Sequence, residues 1–341
     1  MKKPAIALSI IGITFYLGLG TSNALEQIPQ SAVTGKITSV IESSVEKDLI
    51  SQILEVRLSN GDIVTVENSP QISDRNIEYK KGNLVILQKF LKDSATTPTE
   101  EFESTSIYII TDYNRVPYLV FISAIFAVLT FFIGRKYGIY SILGMAFSFF
   151  IIFKFILPQI ILGRNPVLIT ILASFAIIPV TFYLSHGFNK KTHIAVISTV
   201  LTLVFTVIFT AISVNLAHLS GFSTEEAYFL KVQFGNIDMR GILLAGIIVG
   251  FLGILDDITV SQSSVVMQLK KSNANLGTLE LYKSAMEIGR DHITSMVNTL
   301  VLVYAGASLP LLLLFMTANE PVFFTLNREI IADEVLRTLL G

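Results

Sequence analysis

Cysteine is missing from the 341 residues, which excludes disulfides, thiol nucleophiles and thiolate metal sites and says nothing about compartment. Charge is scarce as well. Asp, Glu, Lys and Arg make up 15% of the chain, where an ordinary soluble protein carries about 25%. The 25 basic and 26 acidic residues nearly cancel, so no nucleic-acid partner is expected. Catalytic signatures are lacking too. Gly277–Ser284 resembles a phosphate loop only faintly, with no glycine before Lys283, which excludes a Walker A site and a built-in ATPase. G-x-S-x-G, H-E-x-x-H and G-x-G-x-x-G do not occur. No motif names an enzyme, and no cofactor is expected.

Apolar residues are abundant instead, at 52%, with a mean hydropathy of +0.64. Residues 116–341 contain several apolar runs of roughly 17–25 residues, the length a helix needs to cross about 30 Å of hydrocarbon. The expected fold class is therefore an α-helical polytopic membrane protein, with the lipid bilayer as its first partner.

Three segments differ in character. Residues 1–24 join a basic start (Lys2, Lys3) to the apolar run Pro4–Gly20 and end in small residues at Ser22 and Ala24. They read equally as a secretory signal peptide or as an N-terminal membrane anchor. Residues 25–115 hold nine Lys/Arg against fourteen Asp/Glu and no run long enough to span. Apolar and polar residues alternate over Val33–Val40, Ile53–Leu58 and Ile63–Val66, with Asn60-Gly61-Asp62 between the last two. Alternation broken by Asn-Gly signals a hairpin. With further strands at Leu84–Phe90 and Ser106–Thr111, the segment reads as a small all-β domain, OB-like in type. Residues 116–341 form the membrane helical bundle, with helices near 116–133, 139–162, 166–185, 194–216, 241–260 and 296–316. The 186–193 turn is short; 217–240 and 261–295 are longer polar connections.

Orientation follows from the basic residues. With the β domain outside, the inner connections carry Arg135, Lys136, Lys190, Lys191, Lys270, Lys271, Lys283 and Arg290, and the outer ones Arg164, Lys231, Arg240, Arg328 and Arg337. Eight against five, with Lys2 and Lys3 inside, makes residues 25–115 extracytoplasmic.

Charges within spans cost about 2.5–3.5 kcal/mol each. Lys154 falls about 24 Å along its helix at 1.5 Å per residue, near the outer interface, where a long stem snorkels to water. Asp256 and Asp257 end an apolar run near the inner boundary. Adjacent helical residues point about 100° apart, so one carboxylate faces the bundle and the other a loop or water. The pair reads either as an ion- or proton-coupling site or as an interfacial acid pair ending a helix. The same boundary should gather Arg290, Asp291, His292 and Asn298, with Arg290 available to neutralise one acid and Asn298 to offer ligand oxygens. One histidine and adjacent Asp291–His292 make a metal site a poor fit. Gly246 and Gly250, with Gly253 beyond, permit close helix contact. Gly306 and Pro310 lie in Ala305-Gly306-Ala307-Ser308-Leu309-Pro310, where a kink or a close neighbour fits.

Those residues carry a resemblance. Gly253-Ile254-Leu255-Asp256-Asp257-Ile258-Thr259-Val260-Ser261-Gln262, the block Glu280–His292 and the run Met296–Pro310 resemble signatures of the YibE/F-like membrane protein family. The resemblance implies a bacterial protein of the cytoplasmic (cell) membrane and brings no substrate, reaction or functional residue to this chain. Members of the family continue past a segment like Asn327–Arg337 into a final Gly/Ser-containing membrane helix. This chain stops at Gly341, so that last helix is expected to be missing. Residues 327–340 read as an amphipathic helix with Ile330, Ile331, Val335 and Leu339 near one face. Two functions stay open: a secondary transporter or exporter of a small solute or ion, or a non-enzymatic scaffold or sensor whose extracytoplasmic domain binds a membrane or envelope partner.

Overall fold

The structure, a computed structural model, describes residues 32–46, 49–69, 76–91, 106–317 and 321–341. The expected signal peptide or anchor at 1–24 lies outside the described residues. The chain divides into two compact units, one holding the strands and the other residues 130–341.

Five strands form at the expected places, with β1 and β2 longer than their alternating stretches: β1 (Ala32–Glu46), β2 (Leu49–Leu58), β3 (Ile63–Asn68), β4 (Leu84–Leu91) and β5 (Ser106–Tyr113). All pairings are antiparallel and the order is β3-β2-β1-β4-β5. β4-β1-β2-β3 is a Greek key, the connectivity expected of an OB-like barrel. β5 pairs with β4, and no ladder joins it to β3 among the described residues, so the sheet is a half-barrel rather than a closed barrel. Period-2 burial along β2 puts Gln52, Leu54, Val56 and Leu58 inside, against Ile37, Val66, Val85, Leu87 and Ile110. Buried Gln52 is satisfied by backbone: its amide donates to Tyr79 O at 3.1 Å and accepts from Tyr79 N at 2.7 Å.

Among the described residues, four helices are long and apolar enough to cross a membrane. The first such stretch, Val116–Ile161, has 46 residues. At 1.5 Å per residue it would reach about 70 Å, twice the hydrocarbon thickness. It does not run straight: α1 (Val116–Ile151) breaks at Arg135, whose φ of 49° and ψ of −131° are not helical. A π turn (Ile152–Ile156) and α2 (Leu157–Ile161) complete it. Then come α3 (Pro166–His186), α4 (Lys190–Leu216), α5 (Glu225–Phe234), α6 (Met239–Ser272), α7 (Thr278–Ala307), α8 (Leu309–Thr317), α9 (Val322–Leu326) and α10 (Glu329–Leu340). Joining α7 to α8 gives up to five such spans among the described residues, against six expected; the two expected helices at 116–133 and 139–162 fall in the single stretch that breaks at Arg135.

Asparagine or aspartate caps start three of the long helices: Asn165, Asn189 and Asp238 accept from Leu168 N, Thr192 N and Gly241 N. α7 and α8 meet at a 63° bend. Pro310 cannot donate to the carbonyl four residues back, at Gly306, so the helix breaks at Ser308 as its sequence predicts.

Two stretches expected to be polar connections are partly helical. α6 and α7 run on through 261–272 and 278–295, and α5 lies within 217–240. Hydropathy marks only the part of a helix that needs an apolar solvent, so the polar extensions escaped it.

α6 is the centre of the helical unit. Its Ile248 and Leu255 pack with Ile178 and Phe182 of α3 and Ala195, Val196 and Leu203 of α4. On another side Leu243, Ile247 and Phe251 meet Val214, Leu219 and, from α10, Ala332, Leu336 and Leu340. Ala332, Leu336 and Leu340 of α10 pack on α6; of the expected face, Ile331 is buried and Ile330 half-buried, whereas Val335 and Leu339 are exposed. Close packing at the glycines differs as well. A Cβ at Gly246 would lie 3.8 Å from an Arg337 guanidinium nitrogen, whereas at Gly250, Gly253 or Gly306 it would meet nothing within 4 Å. The larger side chains of α6 make its helix contacts, and Gly250 and Gly253 lie on its exposed side.

The two ends of the unit are distinct. The basic end carries Lys136, Lys190, Lys191, Lys270 and Lys271. At the far end Glu329 of α10 accepts from the backbone N–H groups of Ser220 and Gly221, each at 2.7 Å, and from the Ser220 hydroxyl at 2.7 Å. Gly221 has φ +83° and its absent Cβ would run into the Met239 carbonyl. Gly221→Ala should cost about 1–3 kcal/mol of backbone strain and lower the apparent melting temperature of the purified protein by several degrees. An unchanged melting temperature would mean that this loop does not sit against α6.

Candidate functional site

Four side chains within two turns of α6 reach different neighbours. Asp256 lines a cavity of about 400 Å³ at the basic end, with Tyr137 and Ser141 of α1, Ser185 and His186 of α3 and Lys191 of α4. Asp257 points the other way, toward α7, where its Oδ2 lies 3.5 Å from His292 Nε2. That separation suits an ion pair with a charged imidazole and is long for a hydrogen bond. Thr259 bonds Thr199 of α4 at 2.7 Å in the packed interior. At the level of Gln262, Gly289 leaves room on α7: a Cβ there would lie 2.7 Å from the Gln262 amide nitrogen. The two carboxylates thus diverge, as the 100° step predicts: Asp256 turns into the bundle, and Asp257, 61% exposed in its side chain, turns toward His292.

The remaining expected cluster does not assemble. Arg290, Asp291 and Asn298 are exposed on α7, and among the described residues none forms an ion pair with Asp256 or Asp257. The reason is helical phase. His292 lies on the α7 face that meets α6, and residues one and two positions before it are rotated by about 100° and 200°. Among the described residues no group of three His, Cys, Asp or Glu could hold a metal ion.

Sequence reasoning missed the other walls of the cavity. Ser185, His186 and Lys191 flank the short α3–α4 turn, where only Lys190 and Lys191 entered the charge count, and Tyr137 and Ser141 follow the break at Arg135. Their signal was faint: polar residues at successive helix ends on the same side of the bundle. Lys154, in the π turn, is exposed and forms no ion pair among the described residues, in keeping with a snorkelling stem.

A second charged group lies in the helix expected to be amphipathic. Asp333 of α10 is 8% exposed in its side chain and is gripped by Arg337 through two bonds, Nε to Oδ1 at 2.9 Å and a second guanidinium nitrogen to Oδ2 at 3.0 Å. The guanidinium rests against Gly246 of α6. This pair lies nearer the far end than Asp256 does, by the ten residues of α6 from Gly246 to Asp256, about 15 Å.

The sequence model described as YibE/F-like protein matches residues 122–341. No curated protein matches the chain, and no solved structure does.

Proposed function

The chain belongs to the YibE/F-like family, and from the geometry of its basic end we propose that it is a secondary transporter of a small solute or ion in the cell membrane. In this reading Asp256 is the coupling group, and the basic end is cytoplasmic by the positive-inside rule. The observation that carries it is the setting of Asp256. An acid about 26 Å along α6 from Met239, at 1.5 Å per residue, sits near the edge of the hydrocarbon and opens onto a cavity of about 400 Å³. An acid in such a span marks an ion pathway more often than a structural tie. The hydroxyls of Ser141 and Ser185 offer oxygens to a bound cation or hydrogen bonds to a solute, and His186 and Lys191 complete the polar lining. The 63° bend between α7 and α8 is the kind of interruption found in transporter helices.

The test is transport by the purified chain in proteoliposomes, using a panel of monovalent and divalent cations and small solutes under an imposed proton gradient. Saturable flux of at least one of them is expected. No flux under any gradient would remove the proposal.

A second reading rests on the half-barrel. The β1–β2 hairpin runs beyond its last pairing with other strands and exposes Ile41, Val45 and Leu49 at 59%, 67% and 51%, an apolar surface that a membrane or envelope protein would cover. It predicts that deletion of residues 25–115 abolishes function while Asp256→Asn is tolerated.

A further inference from the structure

A second cavity of about 400 Å³ opens at the basic end between the start of α4 and the end of α6. Lys190 and Lys191 line it from α4, Lys271 and Gln268 from α6. Among the described residues no carboxylate lies within ion-pair distance of any of the three ammonium groups. Lysines at this end are expected from membrane topology alone, but topology does not require three of them, from two helices, around one concavity. The start of α4 adds to the positive potential. The first-turn N–H groups of Lys190 and Lys191 have no carbonyl a turn earlier to bond, and the helix dipole is positive there. The Asn189 side chain offers nothing to a ligand: its amide already donates to His186 O and Gly187 O and its oxygen caps Thr192 N. The cavity therefore presents donors and positive charge.

Its depth narrows the ligand. Ser264, on its wall, lies 25 residues beyond Met239, about 38 Å along α6. Hydrocarbon spans about 30 Å and the bilayer with its headgroups about 40–45 Å, so the cavity falls at headgroup level. Lysine binds phosphate as a compact point charge.

We propose that the cavity between Lys190, Lys191 and Lys271 binds a phosphate-bearing anion, supplied either by an anionic lipid headgroup or as free phosphate. The site rests on the membrane reading of the helices and is independent of transport through the Asp256 cavity, with which it shares Lys191.

The experiment uses the full chain, purified in detergent, in two arms. Native mass spectrometry compares retention of phosphatidylglycerol and phosphatidylcholine, and equilibrium dialysis measures binding of radiolabelled inorganic phosphate. Wild type should retain phosphatidylglycerol roughly tenfold or more over phosphatidylcholine, or, if free phosphate is the ligand, bind it saturably without a lipid preference. Lys190→Gln/Lys191→Gln/Lys271→Gln should lose that binding. Lys283→Gln/Arg290→Gln, which removes two charges of the same end outside the cavity, should keep it, and so should Asp256→Asn. If the triple variant does not elute as a single species, Lys271→Gln alone should weaken binding severalfold. Equal binding by wild type and the cavity variants, an equal loss in the Lys283/Arg290 control, or no binding of either probe would overturn the proposal.

Discussion

Arg337→Met should lower the apparent melting temperature of the purified protein by about 10 °C. Asp333, almost wholly enclosed, holds its charge through two guanidinium bonds. Removing the guanidinium leaves a buried carboxylate with neither water nor a cation, and breaking such a pair from one side costs about 3–5 kcal/mol. A chain of this size loses a few degrees for each kcal/mol. Because the Arg337 side chain is 29% exposed, the lower part of that range is the relevant one. Asp333→Leu/Arg337→Met should recover most of the loss, since a buried pair replaced on both sides by apolar groups is close to neutral. Thermal unfolding followed by size-exclusion chromatography separates the cases. If the single variant melted with the wild type, the pair would be solvated and α10 would not lie against Gly246.

Asp256→Asn should reduce coupled transport to background while the protein elutes and melts normally. The amide has nearly the shape of the acid, and the cavity around it already contains hydroxyl, imidazole and ammonium groups, so packing has little reason to change. The amide can neither take up nor release a proton, and it does not offer a negative charge to a cation. Asp257→Asn differs because that side chain faces His292 at 3.5 Å and is mostly exposed. Surface substitutions shift energies by about 0.5 kcal/mol, so transport should stay within about threefold of wild type. Equal losses in the two variants would mean that the acids act as a pair and that the divergence seen here is not the working arrangement.

Much of this arrangement is legible in the sequence, and the part that is not has a physical reason. Alternation locates the first three strands because one face of each is buried, and Asn60-Gly61 marks the β2–β3 turn. The apolar runs locate the spanning parts of the helices. They do not show where α6 and α7 end, because a helix that leaves hydrocarbon for water keeps its backbone bonds and changes only its surface. The divergence of Asp256 and Asp257 follows from helical geometry alone. What each acid meets does not: the cavity brings together positions 137, 141, 185, 186, 191 and 256, and only the packing of α1, α3, α4 and α6 makes them neighbours. Asp333 and Arg337 show a different limit. Their i,i+4 spacing was visible, but the same spacing occurs on solvated helix faces, and burial against Gly246 distinguishes the two.

The central claim is that Asp256 carries the proton or cation that drives transport. The most direct measurement is internal pH in proteoliposomes, read with a trapped pH-sensitive dye, while a gradient of the transported solute or ion is imposed on wild type and on Asp256→Asn. Solute-driven acidification or alkalinisation in the wild type and none in Asp256→Asn is the predicted result. Proton movement of the same size in both would contradict the account and remove Asp256 as the coupling group.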